Sequence, residues 1–141
     1  MVLLESQIKL KTGDIAPDFE LIGIDDKTHS LNDYGNYKGI LVIFMCNHCP
    51  YVIGSDEDTR MIADKYIPNG VEFVGINSNS ANTYEEDDYD HMVTRMEEND
   101  FPWVYLYDET QEVAMTYGAL RTPHFYLFNE ARKLIYTGRA V

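Results

Sequence analysis

Six apolar residues, Ile40-Leu41-Val42-Ile43-Phe44-Met45, run without interruption into Cys46-Asn47-His48-Cys49-Pro50. A short apolar run rich in β-branched residues is the pattern of a strand buried on both faces. Such a strand must be covered from two sides, so it sets the centre of whatever fold the chain adopts. Its C-terminal end delivers two thiols spaced by two residues. Pro50 follows in the first turn of a helix, where its missing N–H does no harm. These are the only two cysteines among 141 residues. A strand that hands a Cys-x-x-Cys to a helix is how thiol–disulfide chemistry is usually mounted.

The flanking pattern reads as alternating strands and helices. Phe19, Leu21 and Ile24 alternate before Asp25-Asp26-Lys27, a hairpin tip that leads into Thr28-His29-Ser30-Leu31. Ser30-x-x-Asp33 is a weak helix-start signal, and 34–39 reads as loop. A helix is expected from about Pro50 to Tyr66, with Asp56, Glu57 and Asp58 early and Lys65 late, as the helix dipole prefers. Asn69-Gly70 is a turn, and 71–76 reads as a second buried strand. Within 85–98, Tyr89, Met92, Val93 and Met96 make one apolar helical stripe, better explained as core than as a methionine ligand set. A strand at 103–107, a short helix at 109–117 stopped by Gly118, and a hairpin of 125–128 with 134–136 complete the order β, β, β-α-β, α, β-α, β-β. That order gives an α/β fold, a central mixed β-sheet flanked by helices. The length suits a single domain over residues 1–141.

Composition narrows the partners. A net charge of −13 opposes binding to nucleic-acid phosphates or anionic membranes. The apolar runs are too short to span a bilayer. The start of the chain has no basic region or cleavage site around Val2-Leu3-Leu4, so a soluble, cytoplasmic protein is expected. In a reducing cytosol two such cysteines point to catalysis rather than to a structural bridge.

Several motifs in order resemble one known family. Phe44-x-Cys46-x-x-Cys49-Pro50, Gly75-Ile76-Asn77, and Tyr117-Gly118-x-x-x-Thr122-Pro123-x-Phe125-x-Leu127-Phe128 are similar to thioredoxin-fold redoxins of the alkyl hydroperoxide reductase/thiol-specific antioxidant (peroxiredoxin-like) family. Gly13-Asp14-x-Ala16-Pro17-Asp18-Phe19 resembles the start of that family's domain, and Cys-Asn-His-Cys-Pro-Tyr a peroxiredoxin-like branch. The resemblance implies a cis peptide at Thr122-Pro123 facing the thiols, a helical insertion over 80–99, and an N-terminal hairpin. It also implies a C-terminal helix for which the sequence has no counterpart after the last strand, so a truncated domain is expected. The strand before Cys46 lacks the buried acid of thioredoxins.

Two enzymatic readings follow from the resemblance. In the first, Cys46 is the nucleophile of a thiol–disulfide oxidoreductase, its thiolate favoured at a helix N-terminus. Cys49 resolves, His48 tunes the couple, and Thr122-Pro123 positions a partner chain. About 30 mV of potential equals roughly 1.4 kcal/mol, so one imidazolium contact matters. In the second, Cys49 attacks peroxide, Arg121 assists and Cys46 resolves; the plainer account of Arg121 is a solvated arginine, and it has the edge. A third reading gathers Cys46, Cys49, His48 and His124 around copper or zinc, but the chain has no second Cys-x-x-Cys or paired histidines to support it. His124 either lines the thiol groove or is an ordinary strand-end histidine, with equal weight, and His29 and His91 are expected at the surface. No organic cofactor or metal is required. The expected partner is a protein disulfide or dithiol, with peroxide the rival substrate, acting on a monomer or on a homodimer formed through uncovered sheet. The acidic run 85–90 is expected as a solvated helix start.

Overall fold

The computed structural model describes residues 10–34, 37–45, 50–78, 89–99, 102–119 and 124–139. Seven strands form one sheet: β1 (Glu20–Gly23), β2 (Thr28–Ser30), β3 (Gly39–Met45), β4 (Val71–Asn77), β5 (Val104–Tyr107), β6 (His124–Phe128) and β7 (Leu134–Arg139). Three helices accompany them: α1 (Pro50–Tyr66), α2 (Tyr89–Asn99) and α3 (Glu112–Tyr117). The spatial order is β2-β1-β5-β4-β3-β6-β7. β3, β4 and β5 run parallel to one another, while β1, β2, β6 and β7 pair antiparallel.

The expected central strand is central. β3 pairs along its length with β4 on one edge and β6 on the other. Because successive side chains point to opposite faces, its apolar run feeds two cores. Ile40, Val42 and Phe44 enter one with Tyr117, Tyr126 and Phe128, under α3 and a 3-10 turn at Leu31–Tyr34. Ile43 and Met45 enter the other with Phe73, Trp103 and Tyr105, covered by Ala63 of α1 and Met92 of α2. The stripe on α2 is core, as its spacing indicated. Met92 is fully buried, Met96 packs against the same cluster, and Tyr89 donates its hydroxyl proton to the Gly23 carbonyl at 2.8 Å.

Some local expectations shift. Ser30 does not cap with its hydroxyl; its N–H donates to the Asp33 carboxylate at 2.9 Å, which closes a 3-10 turn. Asp56, Glu57 and Asp58 lie beyond the first turn of α1, which holds no acidic residue, so they miss the short-range benefit of the dipole; Lys65 does sit in the last turn. The short helix starts at Glu112, not at residue 109, because Gln111 takes a left-handed conformation (φ 67°) that interrupts helical continuity. It stops as expected at Gly118, whose φ of 78° suits a residue without Cβ. The C-terminal sheet edge is less bare than expected. The Gly13 N–H donates to the Leu134 carbonyl, the Leu134 N–H to the Asp14 carbonyl, and the Ala16 N–H to the Arg132 carbonyl, so the N-terminal segment lies along the start of β7. Further along β7, Ile135 and Tyr136 are exposed. Among the described residues, no helix is long and apolar enough to cross a membrane.

Tyr34, Tyr117 and Tyr126 sit in the α3-side core with their hydroxyls engaged. Tyr117 donates to the Pro17 carbonyl at 2.6 Å, and Tyr126 to the Tyr117 carbonyl at 2.9 Å. The Tyr34 hydroxyl meets His29 Nδ1 at 3.3 Å, and His29 Nε2 meets the Asp25 carboxylate at 2.9 Å. His29 is thus half-buried and tied into the hairpin rather than a loose surface residue. Burial, above all, pushes all three phenols well above the ordinary 10.0. A group whose folded pKa is raised contributes stability below its unfolded pKa and loses it as pH climbs through the folded one. Tyrosinate absorbance should therefore rise in two stages on alkaline titration. The late stage, from Tyr34, Tyr117 and Tyr126, should coincide with loss of far-UV circular dichroism above about pH 10.

Candidate active site

The C-terminal ends of β3, β4 and β5 lie level with one another. Met45 is in register with Asn77, and Asn77 with Tyr107. On the other side of β3, Phe44 is opposite His124, the first residue of β6. Cys46, His48 and Cys49, and likewise Arg121, Thr122 and Pro123, lie outside the described residues. The elements that carry them do not. β3 ends at Met45 and α1 begins at Pro50, so a four-residue connection holds both cysteines. Thr122-Pro123 immediately precedes β6. Chain continuity therefore ties the two segments to neighbouring strands at one edge of the sheet.

His124, the described residue nearest in sequence to the Thr-Pro pair, is half-buried. Its Nε2 is 2.9 Å from Thr137 Oγ1, and its ring stacks on Tyr126 with centroids 4.5 Å apart. Its register partner Phe44 points into the α3-side core, so His124 occupies that side of the sheet. It is a packed strand-start histidine at the edge of the site. The exposed His91 lies on α2. Among the described residues, no three His, Cys, Asp or Glu side chains converge as they would around a metal ion.

Two polar residues organise this edge, Asn77 of the Gly75-Ile76-Asn77 motif and Asp108, which the sequence did not single out. Asn77 ends β4 fully buried, level with Met45. Asp108 follows β5 and is almost wholly buried. Its N–H donates to the Asn77 carbonyl at 2.8 Å. Its carboxylate accepts the Ser78 hydroxyl at 2.7 Å, and the N–H groups of Ala114 at 3.0 Å and Val113 at 3.3 Å. One carboxylate therefore caps α3, holds the chain leaving β4, and fixes the end of β5. An acid a few residues ahead of the short helix was the available signal. Asp108→Ala strips a buried charge-assisted cap and leaves those donors unpaired. It should lower stability by about 2–3 kcal/mol in urea unfolding, and Asp108→Asn by about half as much.

The arrangement of three parallel strands, an antiparallel β6–β7 hairpin and a helix springing from the end of the central strand is a thioredoxin-like fold, the scaffold of a class of thiol redox proteins. The Redoxin family profile matches residues 11–141, and the chain belongs to that family. An uncharacterized conserved protein from Geobacillus kaustophilus superposes with a TM-score of 0.89 at 42% identity, over 92% of this chain and 69% of that one. The thioredoxin domain of a thiol-disulfide oxidoreductase from Bacteroides vulgatus superposes with a TM-score of 0.77 at 21% identity, covering 94% of this chain and 91% of the other. The peroxidoxin BcpB from Mycobacterium tuberculosis gives 0.77 at 18% identity, with 93% and 86% covered. At those last two identities the likeness speaks for the fold alone. No curated protein matches the chain. Family and fold together assign a thiol oxidoreductase or peroxidase kind of activity.

Proposed function

We propose that the protein is a thiol–disulfide oxidoreductase in which Cys46 is the nucleophile and Cys49 the resolving thiol. The observation that supports this reading is the pairing of β3 with β6: in sequence Cys46 and Cys49 fall between the buried end of β3 and the first residue of α1, and Thr122-Pro123 precedes β6. A thiolate at a helix N-terminus is stabilised by backbone N–H groups and by the helix dipole. His48 adds a nearby imidazole that, when protonated, stabilises the same thiolate. Thr122-Pro123 offers its backbone to the incoming chain.

The reaction balances without a cofactor. The Cys46 thiolate attacks one sulfur of a partner disulfide, and the other partner sulfur leaves as a thiolate and is protonated. Cys49, deprotonated in turn, attacks Cys46 of the mixed disulfide and releases the second partner thiol. Two electrons have passed to the partner and the protein holds a Cys46–Cys49 disulfide, which an external dithiol reduces again. Run in reverse, the same steps oxidise a partner. The partner is thus a protein disulfide or dithiol met in solution.

The rival within the same family is a peroxidase. There, the Cys49 thiolate takes the distal peroxide oxygen as a sulfenic acid, releasing an alcohol or water. Cys46 then condenses with it to a disulfide with loss of water, and Arg121 polarises the peroxide. Separate Cys46→Ser and Cys49→Ser variants distinguish the two. The expected outcome is that Cys49→Ser accumulates a mixed disulfide through Cys46, and that neither variant reacts quickly with one equivalent of peroxide. Rapid sulfenic acid at Cys49 in Cys46→Ser would overturn the disulfide reading and make Arg121 catalytic. Stoichiometric copper or zinc retained through purification, and lost in both variants, would favour the metal-binding alternative instead.

A further inference from the structure

Met45, Asn77 and Tyr107 form a row across the C-terminal ends of β3, β4 and β5. Partners in parallel strands share a face of the sheet, as do residues two apart on one strand. Met45 belongs to the core under α1 and α2. A Cβ on Gly75 would fall 2.9 Å from the Met45 sulfur and 3.1 Å from the Trp103 ring, so Gly75 faces that core too. Asn77, two residues beyond Gly75, therefore directs its carboxamide from the same face. Tyr107 is half-buried there, whereas Asn77 is fully buried. The surroundings on that face are apolar: Met45, Trp103 and Phe73, the last stacked on Trp103.

A carboxamide removed from water must pair two N–H donors and an oxygen. Two stretches of chain leave the sheet beside Asn77. One continues from β4 itself, and it is already tied down: the Ser78 hydroxyl donates to Asp108, whose other bonds run to α3 on the opposite face. The other is the connection that follows Met45. Neighbouring strands are about 4.8 Å apart and consecutive Cα atoms about 3.8 Å apart, so Asn77 and Cys46 lie within roughly 9 Å of each other, Cα to Cα. Charge favours this partner. In a chain of net charge −13 whose β3 carries no ionisable side chain, a thiolate needs a donor that adds no negative charge. A carboxamide is such a donor, and apolar surroundings strengthen its hydrogen bond.

We infer that Asn77 is a further catalytic residue of this site, its carboxamide donating an N–H to the Cys46 thiolate. The inference rests on the thiol–disulfide reading above and adds a group to its nucleophile. A hydrogen bond to the charged form favours that form, so Asn77 keeps Cys46 ionised and ready to attack at neutral pH. The bond is lost when Cys46 enters a disulfide. Asn77 thus stabilises the reduced protein over the oxidised one and makes the couple more oxidising.

The test follows iodoacetamide alkylation of Cys46 against pH in the full chain carrying Cys49→Ser. Asn77→Leu removes the donor and leaves no cavity. It should raise the alkylation midpoint by roughly one pH unit, about a tenfold loss of thiolate below that midpoint. Asn77→Ser keeps a short donor and should recover part of the shift. Leu134→Ala, a cavity in the α3-side core, should cost stability and leave the midpoint where it was. Midpoints in Asn77→Leu and Asn77→Ser equal to that of the parent chain overturn the inference and leave Asn77 a packing role. Should both variants fail to fold, the side-chain amide proton resonances of Asn77 in the parent chain decide. They should shift with the Cys46 midpoint, and resonances flat across that range overturn the inference. The reaction is checked separately with 2-hydroxyethyl disulfide. A midpoint moved by Asn77→Leu in a chain that forms no mixed disulfide at Cys46 upholds the thiolate contact and overturns the disulfide reading. A mixed disulfide formed with the midpoint unmoved does the reverse.

Discussion

β3 is hydrogen-bonded on both edges and apolar on both faces, and the rest of the structure is arranged around that requirement. A strand with Ile40, Val42 and Phe44 on one side and Ile43 and Met45 on the other cannot be satisfied by a single layer. It demands helices on two faces and partners on two edges. β4 and β6 supply the partners, α1 and α2 cover one face, and α3 with the 3-10 turn covers the other. The consequence for chemistry is positional. The strand paired on both edges and packed on both faces is the one that precedes Cys46 in sequence. Mounting a reactive group on a rigid element is what keeps its geometry reproducible from one encounter to the next.

At the same edge the packing becomes polar, and Asp108 organises it. A buried carboxylate is tolerable only when its oxygens are satisfied. Here they are met by a hydroxyl leaving β4 and by two N–H groups of α3, while the backbone of Asp108 bonds Asn77. The ends of β4 and β5 and the start of α3 thereby behave as one unit.

The architecture was legible because its determinants are local and periodic. The uninterrupted run 40–45, the alternation after Phe19, the stripe Tyr89-Met92-Val93-Met96 and the stops at Gly70 and Gly118 each encode one element. Element order then gave the α/β class. What was not legible depends on contacts between distant segments. Nothing near Asp108 announces that its carboxylate will be buried against Ser78. Nothing in Gly13–Ala16 says that the segment lies along β7, nor in His29 that it will be held between Asp25 and Tyr34. The site residues themselves were named from motif and order alone; they lie outside the described residues, which show only that β3 ends before Cys46, α1 begins after Cys49 and β6 begins after Pro123.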